Sequence, residues 1–279
     1  MKIAHLILTH TNPAQFKRLI KKLAHPDADF YIHVDLKVDL EDFLPETNFK
    51  HIFFIRNRVS IVWGGFSMVE ATVSGFREIL QSGKHYDYIN LLSGQDYPLK
   101  SAEEIHQFYS QNPGKAFMET LSVMEEWQEA IPRLTKYHFT DYRFVGVNTF
   151  EALLNLVVSE RKIPNNLIPV GRSQWFTITL EHAKYIVDYL SENKNVVNFF
   201  RFTWGSDEII FQTILYNSKY KSDIVSDNLM YIDWSEGKPN PKTLTISDLP
   251  VLSKSDKLFA RKFNQKIDKD ILDALDLLS

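Results

Sequence analysis

Two short segments carry the side chains whose chemistry is easiest to name. Trp204-Gly205-Ser206-Asp207-Glu208 holds adjacent carboxylates, and Leu258-Phe259-Ala260-Arg261-Lys262-Phe263 holds adjacent cations. A carboxylate that stays ionised can take the proton of an attacking hydroxyl. A guanidinium beside an ammonium can clamp an anionic leaving group. Each segment also has a plain reading. Ser206 would cap a helix whose first turn carries both acids, where the helix dipole favours them. The flanking phenylalanines would make the basic pair a snorkelling surface. Two further segments end in polar turns. In Val62-Trp63-Gly64-Gly65-Phe66-Ser67, two glycines allow close backbone approach to a ligand, and a helix N-terminus behind them favours anions; a simple capped turn is the alternative. In Asn90 to Leu99 a buried strand runs into Ser93-Gly94-Gln95-Asp96, and Pro98 forces an extended exit. Asp96 there either caps the turn or contacts a ligand.

Other chemistries are missing. No Gly-x-Gly-x-x-Gly follows the first apolar run, no Walker loop is present, and no Gly-x-Ser-x-Gly elbow occurs. The nine histidines form no His-x-x-x-His pair, so a zinc hydrolase has no support. The absence of cysteine removes disulfides, thiolate metal sites and thiol nucleophiles. Asp27-Ala28-Asp29 resembles a metal-holding Asp-x-Asp, but it follows His25-Pro26 and precedes a strand, so it reads as a solvated turn.

These segments need a scaffold to position them. With 279 residues, 44% of them hydrophobic and 24% charged, the chain can bury a proper core. Its net charge of −3 argues against a generic nucleic-acid binder. No apolar run reaches the roughly 18 residues of a membrane span, and Met1 to Thr9 reads as a strand rather than a signal peptide. Strands are predicted at Ile3 to Leu8, Phe30 to Val34, His51 to Ile55 and Tyr86 to Leu92. Helices are predicted from Asn12-Pro13, with Asn12 as cap, over Phe66 to Leu80, and over Ser101 to Tyr109, which opens with the capping box Ser101/Glu104. This alternation predicts an α/β fold with a mostly parallel central sheet and helices on both faces. Ligands in such sheets sit beyond the carboxyl ends of the strands, here Thr9-His10, Asp35, Arg56 and Ser93 to Asp96. After Gly114 the pattern loosens. It leaves a strand at Trp175 to Thr179, helices at Leu180 to Leu190 and Asp207 to Tyr216, a strand at Met230 to Trp234 and an amphipathic helix at Asp268 to Leu278. Residues 1–279 read as one domain, with its best internal break near Pro113-Gly114.

Taken in order, Leu6 to His10, His33 to Asp35, Trp63 to Ser67, Asn90 to Leu99, Ser173 to Phe176, Asp207-Glu208 and Phe259 to Phe263 resemble one family. It is that of the core-2/I-branching β-1,6-N-acetylglucosaminyltransferases and peptide O-xylosyltransferases. The phrase Phe-Ala-Arg-Lys-Phe looks closest to the xylosyltransferase branch. The resemblance implies a GT-A-type nucleotide-sugar-binding fold and an inverting, metal-independent transfer from a UDP-sugar, with no cofactor. On that pattern Glu208 matches the catalytic base, and Arg261 with Lys262 matches the diphosphate clamp. Leu8 and Asp35 fall beside uracil and ribose. Trp63, with Gly64, falls near the donor sugar and phosphates, and Asp96 also falls on the donor side. Ser173, Gln174 and Trp175 lie beside the transferred sugar. Lys242 is the nearest candidate for a second basic residue upstream of the pair. Residues 1–113 become the nucleotide-binding half and 114–279 the acceptor and catalytic half.

The chain departs from the family in three places. Ile61 stands where some members have a hydroxyl residue. Gln174 stands where xylosyltransferases have an acid, which leaves the donor open between UDP-N-acetylglucosamine and UDP-xylose. The cysteines and membrane anchor of animal members are missing. The expectation is therefore a bacterial, cytoplasmic enzyme of surface-glycan synthesis, acting on a glycan, glycolipid or peptide hydroxyl and touching a membrane only through its acceptor. Two rivals stand beside it: a catalytically inactive carbohydrate-binding or scaffold protein of the same fold, and a metal-dependent transferase using Asp27 and Asp29.

Overall fold

The computed structural model describes residues 1–44 and 50–278. The chain forms two compact units by alternating between them. The first takes Met1–Arg56, His85–Gly114 and Leu229–Ser279, and the second takes Asn57–Lys84 and Lys115–Asn228. The predicted break at Gly114 falls on a unit boundary, but the division differs from two sequential halves. Residues 57–84 belong with the second unit and 229–278 with the first.

The first unit is built on a parallel sheet. Its strands are β1 (Ile3–Thr9), β2 (Ala28–Val34), β3 (Ile52–Phe54) and β4 (Tyr88–Ser93). β1 pairs in parallel with β2 on one side and β4 on the other, and β3 adds to β2. All seven residues of β1 are buried, which is why its sequence is a nearly continuous apolar run. The connection from β1 goes one way to β2 and β3, then returns past β1 to β4. The order reverses at β1, and the carboxyl ends of β1 and β4 form the crevice where such sheets bind ligands. A short strand, β5 (Asp96–Pro98), follows β4 at once and pairs antiparallel with Phe259–Arg261, which is joined in turn by Met230–Ile232.

Helix Pro13–Lys22 presents Phe16, Leu19 and Ile20 inward at helical spacing. Asn12 does not cap it. Its backbone is left-handed, at φ 51°, and its side chain donates to Asn264 Oδ1 at 3.1 Å. Gln15 on the same helix is fully buried. Its Nε2 donates to the carbonyls of Gly94 and Phe263, each at 3.1 Å, and its Oε1 accepts from Gln265 N at 2.8 Å. One side chain therefore braces both the turn after β4 and the segment after Arg261-Lys262. The terminal helix Asp270–Leu278 buries Ile271, Leu272 and Leu275 within this unit, with Arg18 bridging to Asp273 at 2.6 Å and Asp276 at 2.7 Å.

Asp29 corrects the solvated-turn reading. Asp27 is exposed in the turn, but Asp29 lies inside β2 with no solvent exposure. Its carboxylate accepts from Tyr86 Oη at 2.6 Å and pairs with His51 Nδ1 at 2.7 Å and Lys2 Nζ at 3.4 Å.

The second unit places Phe176–Thr179 antiparallel to Ala116–Phe117, which runs parallel to Ile224–Val225. A two-stranded ribbon pairs Thr120–Ser122 with Val170–Arg172. Helix Ser67–Gln81 and helix Leu180–Glu192 cover an aromatic cluster in which Phe76, Phe176 and Phe211 meet edge to face or tilted. The single helix predicted over Asp207 to Tyr216 is two pieces. A 3-10 turn, Ser206–Glu208, precedes the α-helix Ile210–Tyr216, and Ile209 between them has φ −127°. Helices Val147–Val157 and Lys194–Arg201 lie where the sequence pattern had loosened.

Candidate active site

In the first unit, the crevice at the ends of β1 and β4 collects Leu8, Thr9, His10, Asp35, Asp96, Arg261 and Lys262, all singled out in the sequence. Leu8 is buried on β1, and its carbonyl accepts from Gly94 N at 3.0 Å. Thr9 O accepts from Asp35 N at 2.9 Å, which holds the end of β2 against β1. Thr9 Oγ1 is buried and has no hydrogen-bond partner. A side chain on Gly94 would drive into that hydroxyl, since its Cβ would lie 2.5 Å from Oγ1. Asp35 is nearly buried, accepting from Lys37 N at 2.8 Å and pairing with Lys37 Nζ at 3.4 Å.

Asp96 caps its own turn and also fixes a cation. It accepts from Ser93 N at 2.7 Å and Ser93 Oγ at 2.8 Å, and lies 3.4 Å from Arg261 Nε. The antiparallel register of β5 with Phe259–Arg261 sets Arg261 directly opposite Asp96. Burial pushes the Asp96 carboxyl above the usual range, against the pull of Arg261 and Ser93. Lys262 follows Arg261 through a cis peptide. Burial, with Arg261 beside it, holds the Lys262 ammonium below its ordinary value, and Asp96 opposes the shift. Burial likewise lowers His10, whose field includes Asp35, Lys262 and Lys37. Three cations, Lys37, Arg261 and Lys262, share the carboxyl edge of this sheet with two carboxylates, Asp35 and Asp96. The surplus is positive, which suits a polyanion.

Lys242 has a different setting. Its ammonium is 2.6 Å from Asp248 Oδ1 and 3.7 Å from Asp233 Oδ2, so two carboxylates already hold it.

In the second unit, Glu208 sits in the 3-10 turn after Gly205, whose φ of 63° favours glycine. Its Oε2 accepts from Arg133 Nη1 at 2.6 Å. The Arg133 guanidinium lies between two indoles, 4.8 Å from the Trp127 ring and 4.3 Å from the Trp204 ring. Among the described residues no hydrogen bond engages Oε1 of Glu208, and the side chain is 34% exposed. A carboxylate with one oxygen held by a guanidinium and the other without a hydrogen bond can accept a proton. Asp207 beside it is 6% exposed, and its Oδ1 is buried without a partner. Burial, reinforced by Glu208, pushes Asp207 up to about 8, so it is neutral where Glu208 would act. The two adjacent acids thus have opposite environments.

The space beside each glycine of the pair, where a side chain would stand, is occupied by other side chains. A Cβ on Gly64, at φ 73°, would lie 2.7 Å from Trp204 Nε1, and one on Gly65 would lie 2.2 Å from Asp141 Oδ1. The space is taken by the protein itself. The anion at the start of helix Ser67–Gln81 is likewise Asp141, which accepts from Ser67 N at 3.1 Å and Ser67 Oγ at 2.6 Å. These contacts bring the segments together. Gly205 N donates to Gly64 O at 2.8 Å, and the exposed Trp63 ring meets Trp204 edge to face at 5.5 Å. The exposed Trp63 and the buried Gly64 are thereby tied to the Trp204-Gly205 segment that leads into Glu208.

Ser173, Gln174 and Trp175 pack behind the same turn. Ser173 O accepts from Gln212 Nε2 on the helix after Glu208, and Ser173 Oγ accepts from Trp175 N at 3.2 Å and Asn228 Nδ2 at 3.1 Å. Gln174 Nε2 is buried with no partner. The segment begins at Gly171, whose absent side chain leaves room for the Glu208 carbonyl. Arg133, Asp141 and Gly171 gave no sequence signal. Each is a lone residue whose partner lies far along the chain.

Residues 3–252 match the family model described as core-2/I-branching enzyme. The chain is 27% identical over 284 residues to the xylosyltransferase oxt of Drosophila melanogaster, covering 92% of this chain and 31% of that protein. It is 27% identical over 307 residues to xylosyltransferase 2 of Homo sapiens, covering 99% of this chain and 33% of that protein. The chain spans about a third of the length of these curated relatives. Among solved structures it is similar to mouse xyloside xylosyltransferase 1 in its apo form, at 10% identity and a TM-score of 0.44, covering 92% of this chain and 97% of that one. It is also similar to galactosyltransferase LgtC in complex with donor and acceptor sugar analogs, at 7% identity and a TM-score of 0.45, covering 99% and 94%.

Proposed function

Because the chain belongs to the core-2/I-branching enzyme family, we propose that it is a glycosyltransferase of GT-A type. It moves N-acetylglucosamine or xylose from a UDP donor to a hydroxyl acceptor, with inversion and without a metal. The observation that carries this reading is Arg261 registered against Asp96, with Lys262 beside it, at the carboxyl edge of the parallel sheet. The named relatives favour xylose among the two sugars. The acceptor class is a glycan, glycolipid or peptide hydroxyl.

In this mechanism the acceptor oxygen attacks the anomeric carbon as its proton passes to Glu208 Oε1. The new carbon–oxygen bond forms while the bond to the β-phosphate breaks, and UDP leaves with the electron pair. Arg261 and Lys262 meet the charge that grows on the diphosphate, a stabilisation worth most from fixed groups in a dry site. Asp96 holds Arg261 in place beforehand. Arg133 orients Glu208 through the 2.6 Å pair to Oε2. A positioned base contributes on the order of 10²- to 10⁴-fold in rate.

The test is a thermal-shift screen of UDP and UDP-sugars in EDTA and in manganese, followed by transfer assays. UDP is expected to raise the Tm equally in both conditions, by mass action on the native state. Arg261→Ala is expected to abolish the rise. Glu208→Gln is expected to keep it and to lose transfer by about 10²-fold or more. A Tm rise that needs manganese would overturn the metal-free clamp, and wild-type transfer by Glu208→Gln would overturn the base.

A further inference from the structure

Helix Val147–Val157 is inside out. It has no buried residue, although most of its sequence is apolar. Two of its polar side chains, Glu151 and Asn155, are engaged with the protein, while Asn148 and Thr149 are exposed. Asn155 Oδ1 accepts from Tyr137 N and its Nδ2 donates to Tyr137 O, both at 2.8 Å. Glu151, one turn earlier on the same face, accepts from Phe139 N at 2.8 Å and pairs with His138 Nδ1 at 3.4 Å. The opposite face turns Phe150, Leu153, Leu156 and Val157 to solvent, the last two at 79% and 81% exposure. The turn leading into the helix adds Phe144 and a Val145 that is fully exposed at 104%. A helix normally buries its apolar stripe and solvates its polar one. Here two carefully satisfied polar side chains fix the reverse orientation, so the outward apolar face is held for a partner.

The charge around the face identifies the partner. In residues 136–168 the exposed charged residues are Lys136, Arg143, Glu160 and Lys162, while Asp141 and Glu151 are engaged inward. A chain of net charge −3 therefore shows a net positive fringe around its most apolar patch. Exposed aromatic and aliphatic side chains flanked in sequence by exposed Lys and Arg are the composition of a helix lying in the plane of a bilayer interface. No helix among the described residues is long and apolar enough to cross a membrane, so the contact is with the surface. We propose that the face formed by Phe144, Val145 and helix Val147–Val157 docks on an anionic lipid surface. Its apolar side enters the boundary between headgroups and acyl chains, and Arg143 and Lys162 lie among the headgroups.

The experiment measures binding without turnover and so stands apart from the transfer reading. The protein is sedimented with vesicles of phosphatidylglycerol and, separately, of phosphatidylcholine. Wild type is expected to pellet with phosphatidylglycerol, and more weakly with phosphatidylcholine, with binding falling as salt rises. Leu156→Ser and Val157→Ser are each expected to weaken binding about tenfold. Arg143→Gln is expected to weaken binding to phosphatidylglycerol alone, about fivefold. All three positions are exposed, so unchanged circular dichroism is expected and checks folding. Wild type that fails to pellet with either lipid overturns the proposal, as do serine variants that bind like wild type. A wild-type dimer in sedimentation velocity that Leu156→Ser converts to monomer, with no lipid binding, would assign the face to a second copy instead.

Discussion

Gly171→Ala gives the sharpest test of how the candidate base is held. The new Cβ would lie 2.1 Å from the Glu208 carbonyl oxygen, 2.9 Å from Ile209 Cα and 3.0 Å from the Glu208 carbonyl carbon. All three are main-chain atoms, so no side chain can swing away. Ordinary contact begins at 3.4 Å, so the backbone at Glu208 must retreat by about 1.3 Å. The backbone at Gly171 is not in the left-handed region, and the penalty is therefore contact alone. Overpacking of this kind costs about 1–3 kcal/mol, which lowers the Tm by several degrees without unfolding the protein. A displacement near 1 Å at a reacting group costs about 10²-fold in rate. The assay compares UDP release with acceptor present, the Tm, and the rise in Tm on adding UDP. The expected pattern is a loss of about 10²-fold in kcat, a small fall in Tm and an unchanged response to UDP, which reads Arg261 and Lys262 instead. Wild-type kcat and Tm in Gly171→Ala would refute the close packing of Gly171 on the Glu208 turn.

Arg133→Met keeps much of the apolar contact with Trp127 and Trp204 but removes the 2.6 Å pair to Glu208. It is expected to lower kcat at least tenfold with little change in donor KM. In a double-mutant cycle with Glu208→Gln the two losses should not add, and full additivity would show that Arg133 acts elsewhere. Asp207 is raised from 3.8 to about 8, so its stabilisation is complete at low pH and is lost as pH climbs through about 8. Asp207→Asn mimics the protonated form and should flatten that fall, leaving the variant more stable than wild type at about pH 9; parallel Tm profiles for the two proteins would contradict the buried neutral acid.

The parallel sheet was legible because β1, β2 and β4 are largely buried and rich in apolar and β-branched residues, with only isolated polar positions such as His5, Asp29 and Asn90. The capping box at Ser101 and Glu104 was legible because both its bonds are local. The basic pair and Glu208 stood out in the sequence only as members of a set of motifs in order, and their proposed roles rest on that resemblance. What escaped was whatever depends on distant partners. Asp29 looked like a turn residue because His51 and Tyr86, which satisfy it, lie 22 and 57 positions away. The glycines at 64 and 65 looked like a ligand cradle because nothing local shows that Trp204 and Asp141 fill their space. Helix Val147–Val157 was missed although its sequence is amphipathic, and only the structure shows that its apolar side faces outward.

The alternation of the chain between its two units has a bearing on biosynthesis. Residues 229–278 return to the first unit only after all of the second has been made. They bring the strand Phe259–Arg261, and the helix Asp270–Leu278 that ties to Arg18. Until they emerge from the ribosome, β5 lacks its antiparallel neighbour and Asp96 lacks its guanidinium. A chain that stops before residue 229 thus holds the Glu208 turn but lacks Arg261 and Lys262, on which the proposed donor site depends. The same order leaves the open edge of β5 waiting until residues 259–261 have been made, an interval in which that unpaired edge is exposed to misassembly.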